Sequence, residues 1–251
     1  MKSCYLVLIF LLILSNKVTA QLPLESDNAF TVGKDMFQLE LCNSICKEQC
    51  PDQTSRLNLS SAVFTYGLSQ KNDLVISMDY GIGHTVTQCE SYPFKGFYDI
   101  KLELKRLLIE KEYFHSSIKT GLSIPTGQHE RGFGSGKVGY SLYSVSTLTF
   151  NHVDININGG YIRNENLICA CKNLFHFSSS IDLTFYGNFH FVANIGINKS
   201  IDIGHNENCL FNLVGFYYLL GESNELSFGY KNESSSDLMS HSLITGFTHR
   251  F

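Results

Sequence analysis

The sequence predicts an all-β fold, an up-and-down antiparallel transmembrane β-barrel of about 12 strands, from three observations. Apolar and polar residues alternate with a period of two along most of the chain. Tight and long connections between the predicted strands alternate as well. The 19 Phe and 13 Tyr residues fall largely on the apolar parity, as the aromatic girdles of such a barrel require.

Residues 1–20 are predicted to be a secretory signal peptide. Lys2 supplies the positive charge, residues 5–14 form the apolar region, and residues 18–20 (VTA) form a small-residue cleavage site. The apolar region is too short to span a bilayer as a helix, and no later stretch approaches the required length. We therefore expect an exported protein, with residues 21–35 as a short N-terminal periplasmic extension and residues 36–251 as the outer-membrane barrel.

Charge excludes one class of partner. Removal of the signal peptide takes away Lys2 and Lys17, which leaves 17 basic against 23 acidic residues and a formal charge of −6. Such a chain lacks the basic surface by which nucleic-acid-binding proteins are recognised. We expect no nucleic acid among its partners.

The strands follow from the alternation, taken in order along the chain. The clearest case is residues 98–104, where charged Asp99, Lys101 and Glu103 alternate with apolar residues, as in a strand with one polar and one apolar face. The same pattern, in places weaker, predicts strands at residues 36–42, 56–68, 73–83, 96–108, 113–124, 137–149, 153–163, 174–186, 189–198, 209–220, 225–231 and 238–251.

The connections predict how these strands are arranged. Short ones are residues 69–72, 109–112, 151–152, 187–188 and 221–224, and long ones are residues 43–55, 84–95, 125–136, 164–173, 199–208 and 232–237. In an up-and-down sheet alternate connections lie at the same end, so tight turns face the periplasm and long loops face outward. The alternative is a soluble β-sandwich, which also alternates. The aromatic apolar parity and the terminal Phe251 favour the barrel.

One loop carries a family resemblance. Residues 121–127 (GLSIPTG), the glycine-rich residues 131–136 (RGFGSG) and the amphipathic strand that follows resemble the outer-membrane transporter family linked to the meta-pathway of phenol degradation. The resemblance implies an outer-membrane location and a transport role. The terminal Phe251 is similar to the aromatic residue that outer-membrane proteins present to the barrel-assembly machinery. The motif residues are Pro125, Thr126, Gly127, Gly132, Gly134 and Gly136.

Cysteines form a second distinctive set. Seven remain after the signal peptide is removed, an odd number that cannot pair completely within one chain. The predicted topology places all of them at the long-loop end, and an exported chain meets oxidising conditions. We therefore expect disulfides that tie the external loops into a cap, in preference to a metal site. The candidates are Cys42, Cys46, Cys50, Cys89, Cys169, Cys171 and Cys209.

Polar residues on the inward parity are expected to line the lumen. Their mixed signs predict ion pairs and hydrogen bonds within a narrow interior rather than a ring of one sign that selects ions. These residues either line a channel or satisfy one another inside a plugged barrel, and the sequence leaves both open. They are Asp99, Lys101, Glu103, Lys105, His115, Lys119, Asp154, His176, Asp182, His190, Glu225 and Arg250.

Two His-x-Ser pairs raise the question of a lipid hydrolase. His115 with Ser117, and His176 with Ser178, each place an imidazole and a hydroxyl on one strand face. A lipid hydrolase would need the pair to face lipid, with a carboxylate orienting the histidine. Both pairs share the parity of the charged residues that face the lumen, so we expect no catalytic residue.

The function expected from the sequence is passive uptake of a small hydrophobic or aromatic solute through an outer-membrane channel. No cofactor and no metal are required, and outer-membrane lipid is an expected partner. Two alternatives stay open. One is a non-conducting surface barrel whose disulfide-tied external loops bind a partner, and the other is an outer-membrane lipid hydrolase.

Overall fold

The computed structural model describes residues 22–51, 53–87, 90–167, 171–202, 208–236 and 238–251. The predicted signal peptide lies outside these residues. Thirteen strands and one short 3₁₀ helix, His129–Arg131, make up the regular structure. The strands are β1 Phe37–Cys50, β2 Gln53–Ser69, β3 Asn72–Thr87, β4 Ser91–Phe97, β5 Ile100–Lys111, β6 Phe114–Ile124, β7 Gly139–Phe150, β8 Val153–Arg163, β9 Asn173–Tyr186, β10 Phe189–Ser200, β11 Asn208–Leu220, β12 Asn224–Ser234 and β13 Met239–Arg250.

The strands form one closed antiparallel barrel of twelve strand positions, which confirms the predicted fold class. Apart from β4 and β5, which do not pair with each other, consecutive strands pair with one another, and β1 pairs with β13 to close the ring. Strands β4 and β5 share one position, because β3 pairs with β5 through residues 72–77 and with β4 through residues 80–86. Among the described residues, no helix is long and apolar enough to cross a membrane.

Side-chain burial follows the alternation that the sequence predicts. On β11, for example, Phe211, Leu213 and Tyr217 are buried inside, while Val214 and Phe216 on the other parity are exposed. Serines, threonines and asparagines dominate the inward face of β7 to β10, and large apolar side chains dominate the outward face. At the closure, the Phe251 amide donates to the Phe37 carbonyl at 2.9 Å.

Three predicted loops are shorter in the structure than the sequence suggested. β1 runs to Cys50 and β2 begins at Gln53, so the predicted loop 43–55 is a tight turn at the end of a long hairpin. The predicted loops 84–95 and 232–237 shrink in the same way, because β3 ends at Thr87 and β12 at Ser234. Near the ends of these hairpins polar residues occupy both faces of the strands. The alternation of polar and apolar residues that predicts a strand is therefore absent there.

Pro93 is a related correction, because it lies in β4 and not in a loop. Among the described strands, β4 pairs with β3 alone, and Pro93 lies opposite His84 in that register. Proline is tolerated on such an edge strand, since its nitrogen has no hydrogen to donate to a ladder. Because β1, β2 and β3 are long and β4 extends the hairpin of β3, the barrel wall stands taller along β1 to β4 than along β6 to β9.

Candidate functional site

The N-terminal segment, residues 22–35, runs through the lumen of the barrel. The sequence suggested a periplasmic extension outside the barrel, and the structure corrects this expectation. Leu22 packs near Gly246 of β13, and Pro23 packs against Gly215 of β11 and Gly229 of β12. From there the segment crosses to β9 and β10, then to β6 and β7, and leaves beside β2 and β3 at the short-turn end.

Asp27 is the charged anchor of this segment. Its Oδ1 lies 2.8 Å from the Lys105 Nζ and its Oδ2 lies 2.9 Å from the Lys119 Nζ. Lys119 also approaches Glu103, at 3.7 Å. Burial would raise the pKa of Asp27, but the two ammonium groups outweigh burial and hold this pKa at about 2, below the ordinary 3.8.

Neutral hydrogen bonds fix the segment on both sides of Asp27. The Ser26 amide donates to the Asn194 Oδ1 at 3.0 Å, and the Ser26 hydroxyl donates to the Ser178 Oγ at 2.8 Å. On the other side the Ala29 amide donates to the Thr147 Oγ1 at 2.8 Å, and the Ser117 hydroxyl donates to the Ala29 carbonyl. Two pairs of strands, β9 with β10 and β6 with β7, which β8 separates, thus hold the same short stretch of chain.

The two ends of the segment are tied as well. At the short-turn end the Val32 amide donates to the Asp73 Oδ2 at 3.0 Å, and the Asp35 amide donates to the Gly67 carbonyl at 2.9 Å. At the other end Glu25 pairs with Lys231 at 2.7 Å. The segment therefore obstructs the lumen over a stretch that begins at mid-barrel and ends at the short-turn rim.

A second obstruction enters from the long-loop end. Loop 125–138 folds against the inner wall, and Phe133, 2% exposed, packs edge-on against Tyr98 with ring centroids 5.1 Å apart. A Cβ on Gly96 would lie 2.6 Å from the Phe133 ring, so this pocket requires glycine at that position. Phe94 completes the aromatic cluster at 6.0 Å.

The Asp99 carboxylate holds this loop against the wall by hydrogen bonds. It lies between β4 and β5, is 7% exposed, and accepts hydrogen bonds from the Gly127 amide at 2.9 Å and from the Ser135 amide and hydroxyl at 2.7 Å. Gly134 has a φ of +90°, which a residue with a Cβ rarely adopts, and its own Cβ would clash with the Asp99 carboxylate. The motif residues Pro125, Thr126, Gly127, Gly132, Gly134 and Gly136 all belong to this loop, in which the Thr126 Oγ1 accepts from the Ile100 amide at 3.0 Å.

The remaining predicted lumen residues fall into three places. Lys101 is exposed and, with Glu103, lines a cavity of about 200 Å³ on the long-loop side. The His115 ring lies 4.6 Å from the Phe30 ring of the N-terminal segment. The others contact wall residues: Asp182 lies 2.9 Å from His190 and faces Asp154 across β8 and β9, His176 bonds Asn198, and Arg250 donates to Gln38 at 2.6 Å.

Four of the described cysteines do not form the predicted cap. Cys42, Cys46, Cys50 and Cys209 form no disulfide. The first three lie within β1 rather than in a loop, and neighbours four residues apart on a strand are separated by about 13 Å, beyond the roughly 4.4–6.8 Å between disulfide-bonded Cα atoms. Cys46 instead approaches the Ser240 hydroxyl at 3.1 Å. Cys171 is buried beside Asn164, and Cys89 and Cys169 lie outside the described residues.

The two His-x-Ser pairs prove to be attachment points for the N-terminal segment. The His176 Nε2 lies 2.8 Å from the Ser178 Oγ, and its Nδ1 lies 2.8 Å from the Asn198 Oδ1, so a Ser-His-Asn chain is present. However, Ser178 has no exposed surface, and its hydroxyl accepts from Ser26. The Ser117 hydroxyl, in a side chain 1% exposed, donates to the Ala29 carbonyl. Neither hydroxyl is open to a substrate.

Sequence reasoning missed several residues of this site. Asp27 and Phe133 are the central ones, and Asn194 and Tyr217 are also buried on the lumen face. The strand parity of Asn194 and Tyr217 was a usable signal, because each lies on the inward face of its strand, as the expected lumen residue Glu225 does on β12. Asp27 and Phe133 lie outside the predicted strands, and no periodicity marks them.

The fold and the site define an outer-membrane-type β-barrel of twelve strands whose lumen is obstructed from both ends. No protein-family model matches the chain, and no curated protein sequence matches it. Solved structures do match it. The COG4313 outer membrane channel from Pseudomonas putida F1 aligns with a TM-score of 0.65 at 11% identity, over 89% of this chain and 97% of that one.

Two further structures extend the comparison. The CymD monoaromatic hydrocarbon channel aligns with a TM-score of 0.51 at 9% identity, over 87% of this chain and 88% of that one, and the KdgM porin with 0.56 at 9%, over 84% and 99%. Autotransporter translocator barrels are similar too. At such identities the likeness shows the fold, an outer-membrane-type barrel.

Proposed function

We propose that the protein is an outer-membrane channel for a small hydrophobic or aromatic solute, with its own N-terminal segment as the gate. The proposal rests mainly on how residues 22–35 are held in the lumen. They are held by side-chain hydrogen bonds, by the ion pairs of Asp27 and Glu25, and at the rim by a backbone bond from the Asp35 amide to the Gly67 carbonyl, and no strand pairing with the wall is present among the described residues. Such contacts can be exchanged for water without breaking the barrel.

The aromatic character of the outer half of the lumen supports the choice of solute. Phe94, Tyr98 and Phe133 cluster at the long-loop end, and the Phe211 ring stacks on His176 deeper in the lumen. Aromatic rings bind aromatic ligands by stacked and edge-on contacts. Two of the similar structures are described as an outer membrane channel and a monoaromatic hydrocarbon channel, which supports the same proposal. No catalytic step is required, and assembly through Phe251 is part of it.

The obstructed lumen also favours a second candidate, a non-conducting surface barrel whose external hairpins bind a partner. Planar-bilayer conductance separates the two. We expect the intact barrel to conduct weakly and a variant lacking residues 22–31 to conduct several-fold more, because the deletion removes Asp27 and both flanking anchors. Heat-modifiable gel migration of both proteins serves as the control for folding.

Uptake by cells tests the solute. Cells that display the barrel should accumulate a radiolabelled monoaromatic hydrocarbon faster than cells that lack it, whereas a hydrophilic sugar should show no such difference. A folded deletion variant that conducts no better than the intact barrel would favour the surface barrel. Equal uptake with and without the barrel would remove the aromatic solute from the proposal.

A further inference from the structure

A row of basic side chains crosses the outward face of the tall wall, within two residues of one another in the strand register. In the strand register Lys47 of β1 lies opposite Arg56 of β2, and Arg56 lies opposite His84 of β3. Lys95 of β4 is two residues along from the partner of His84 and shares its parity. Lys47, Arg56 and Lys95 are exposed, and they take part in none of the salt bridges among the described residues. We call these four residues the basic row.

The basic row lies at the height of a membrane boundary. Phe37 and Tyr66 stack at the short-turn rim, with ring centroids 4.6 Å apart. Lys47 and Arg56 are each ten residues further along their strands, which at roughly 3.3 Å per residue and a tilt near 40° is about 25 Å of height. The apolar band of an outer-membrane barrel is also about 25 Å tall. The basic row therefore lies where the outer leaflet's headgroups begin.

Acidic residues are absent from the outward-facing positions of the strands on this side of the barrel. The outward parities of β13, β1, β2, β3 and β4 contain neither Asp nor Glu in their strands. The contrast with the opposite wall is direct, because Arg163 on β8 is paired with Glu165. Unpaired cations at a lipid boundary attract anionic headgroups, and arginine in particular binds phosphate.

A groove lies below the basic row on the same outward face. Its volume is about 590 Å³, and small side chains such as Ser60 and Ala62 form its floor between the larger Met78, Tyr80, Phe97 and Phe247. Small residues next to large ones leave this groove open along the outward face. The apolar lining matches a hydrocarbon chain in the adjoining leaflet.

Polar side chains lie between the groove and the basic row. The Asn43 Nδ2 donates to the Asn58 Oδ1 at 2.6 Å and to the Ser60 Oγ at 3.1 Å, all on the outward face. Asn58 is opposite Ile45 in the register, one outward-facing residue below Lys47. Amides facing lipid at this depth suit a lipid whose headgroup linkage offers amide and hydroxyl groups, as an acylated amino sugar does.

We propose that this face binds the phosphorylated glycolipid of the outer leaflet. The phosphates lie against the basic row, the acylated amino sugar against Asn43 and Asn58, and one acyl chain in the groove. The order of the three parts along the strands, cationic then polar then apolar, matches the order of phosphate, amide linkage and hydrocarbon in such a lipid. The inference is independent of whether the lumen conducts.

The test uses the folded full barrel in neutral detergent, with diphosphoryl lipid A as the probe and native mass spectrometry as the readout. The variant Lys47→Gln/Arg56→Gln/Lys95→Gln should bind about 10- to 100-fold more weakly, given the attraction of each basic residue to an anionic headgroup. The matched control, Lys71→Gln/Arg106→Gln/Lys111→Gln, removes the same charge from exposed positions at the short-turn end and should bind as the wild type does.

Two further arms address the lipid. Lipid A without its phosphates should bind the wild type as weakly as diphosphoryl lipid A binds the basic-row variant, and Ala62→Phe, which fills the groove, should weaken binding of both forms. The single variant Arg56→Gln repeats the measurement if the triple variant does not fold. Equal loss of binding in the control, or wild-type binding by the basic-row variant, would overturn the proposal.

Discussion

The two obstructions of the lumen are held in different ways. The N-terminal segment is held by charge and hydrogen bonds, centred on Asp27 between Lys105 and Lys119. Loop 125–138 is held by an aromatic side chain, Phe133, in a pocket that Gly96 leaves open. The contacts of the N-terminal segment depend on protonation and on competition with water. Those of loop 125–138 depend on the fit of apolar surfaces.

This difference assigns separate roles to the two regions. Water and protons can replace ionic and polar contacts, so the N-terminal segment is built to be displaced. Close apolar packing is lost only at the cost of a cavity or of exposed aromatic surface. Loop 125–138 is therefore the fixed part that shapes the aromatic end of the lumen.

The largest effect is expected from Asp27→Asn. The substitution removes the carboxylate that pairs with the buried Lys105, 3% exposed, and with Lys119, and leaves Lys119 with Glu103 at 3.7 Å. Breaking a buried pair in this way costs about 3–5 kcal/mol, so the segment should leave the lumen in most molecules. Single-channel recording should show a higher open fraction than in the wild type.

The matched control for this variant is Asp35→Asn. Asp35→Asn removes the same charge at an exposed position of the same segment. The φ of +62° at this position is one that asparagine tolerates. Asp35→Asn should conduct as the wild type does. An Asp27→Asn barrel that stays closed would mean that hydrogen bonds alone hold the segment.

A smaller effect is expected from Phe133→Ala. Removing a buried phenylalanine costs about 3 kcal/mol or slightly more, which should release loop 125–138 from the wall without moving the N-terminal segment. Trypsin added to the outside should then cleave after the exposed Arg131 several times faster than in the wild type. Phe185→Ala, at a side chain 79% exposed, should leave this rate unchanged, and equal cleavage of all three proteins would contradict a fixed loop.

The barrel itself could be predicted from the sequence because its signal is local. In residues 98–104 the parity of the charged side chains fixes which face turns inward, and Glu103 does lie on the inward face beside Lys119. Strand ends were harder, because the hairpin of β1 and β2 continues past the apolar band, where both faces meet water. There the period of two disappears although the strand pairing persists.

The obstructions could not be predicted in the same way. Asp27 meets a lysine 78 residues away, and Phe133 fills a pocket formed by β3 and β4. Neither contact leaves a periodic trace in the chain, since each depends on the closed ring being in place first. The cysteine pattern misled for the same reason: spacing of four looked like a loop cluster, whereas on a strand it spreads thiols along one face.

The smallest of the three effects should appear on acidification. Asp27 has a pKa of about 2 in the folded protein, below its ordinary 3.8, so its ionic contribution is complete above about pH 4 and is lost as the pH falls towards 2. A shift of this size corresponds to about 2 kcal/mol. The open fraction of the wild type should therefore rise between pH 4 and pH 2, while Asp27→Asn, which lacks the titrating group, should show a flatter profile. Other carboxylates titrate in both proteins, so the difference between the two profiles isolates Asp27. Parallel profiles would show that charge on Asp27 does not hold the segment in place.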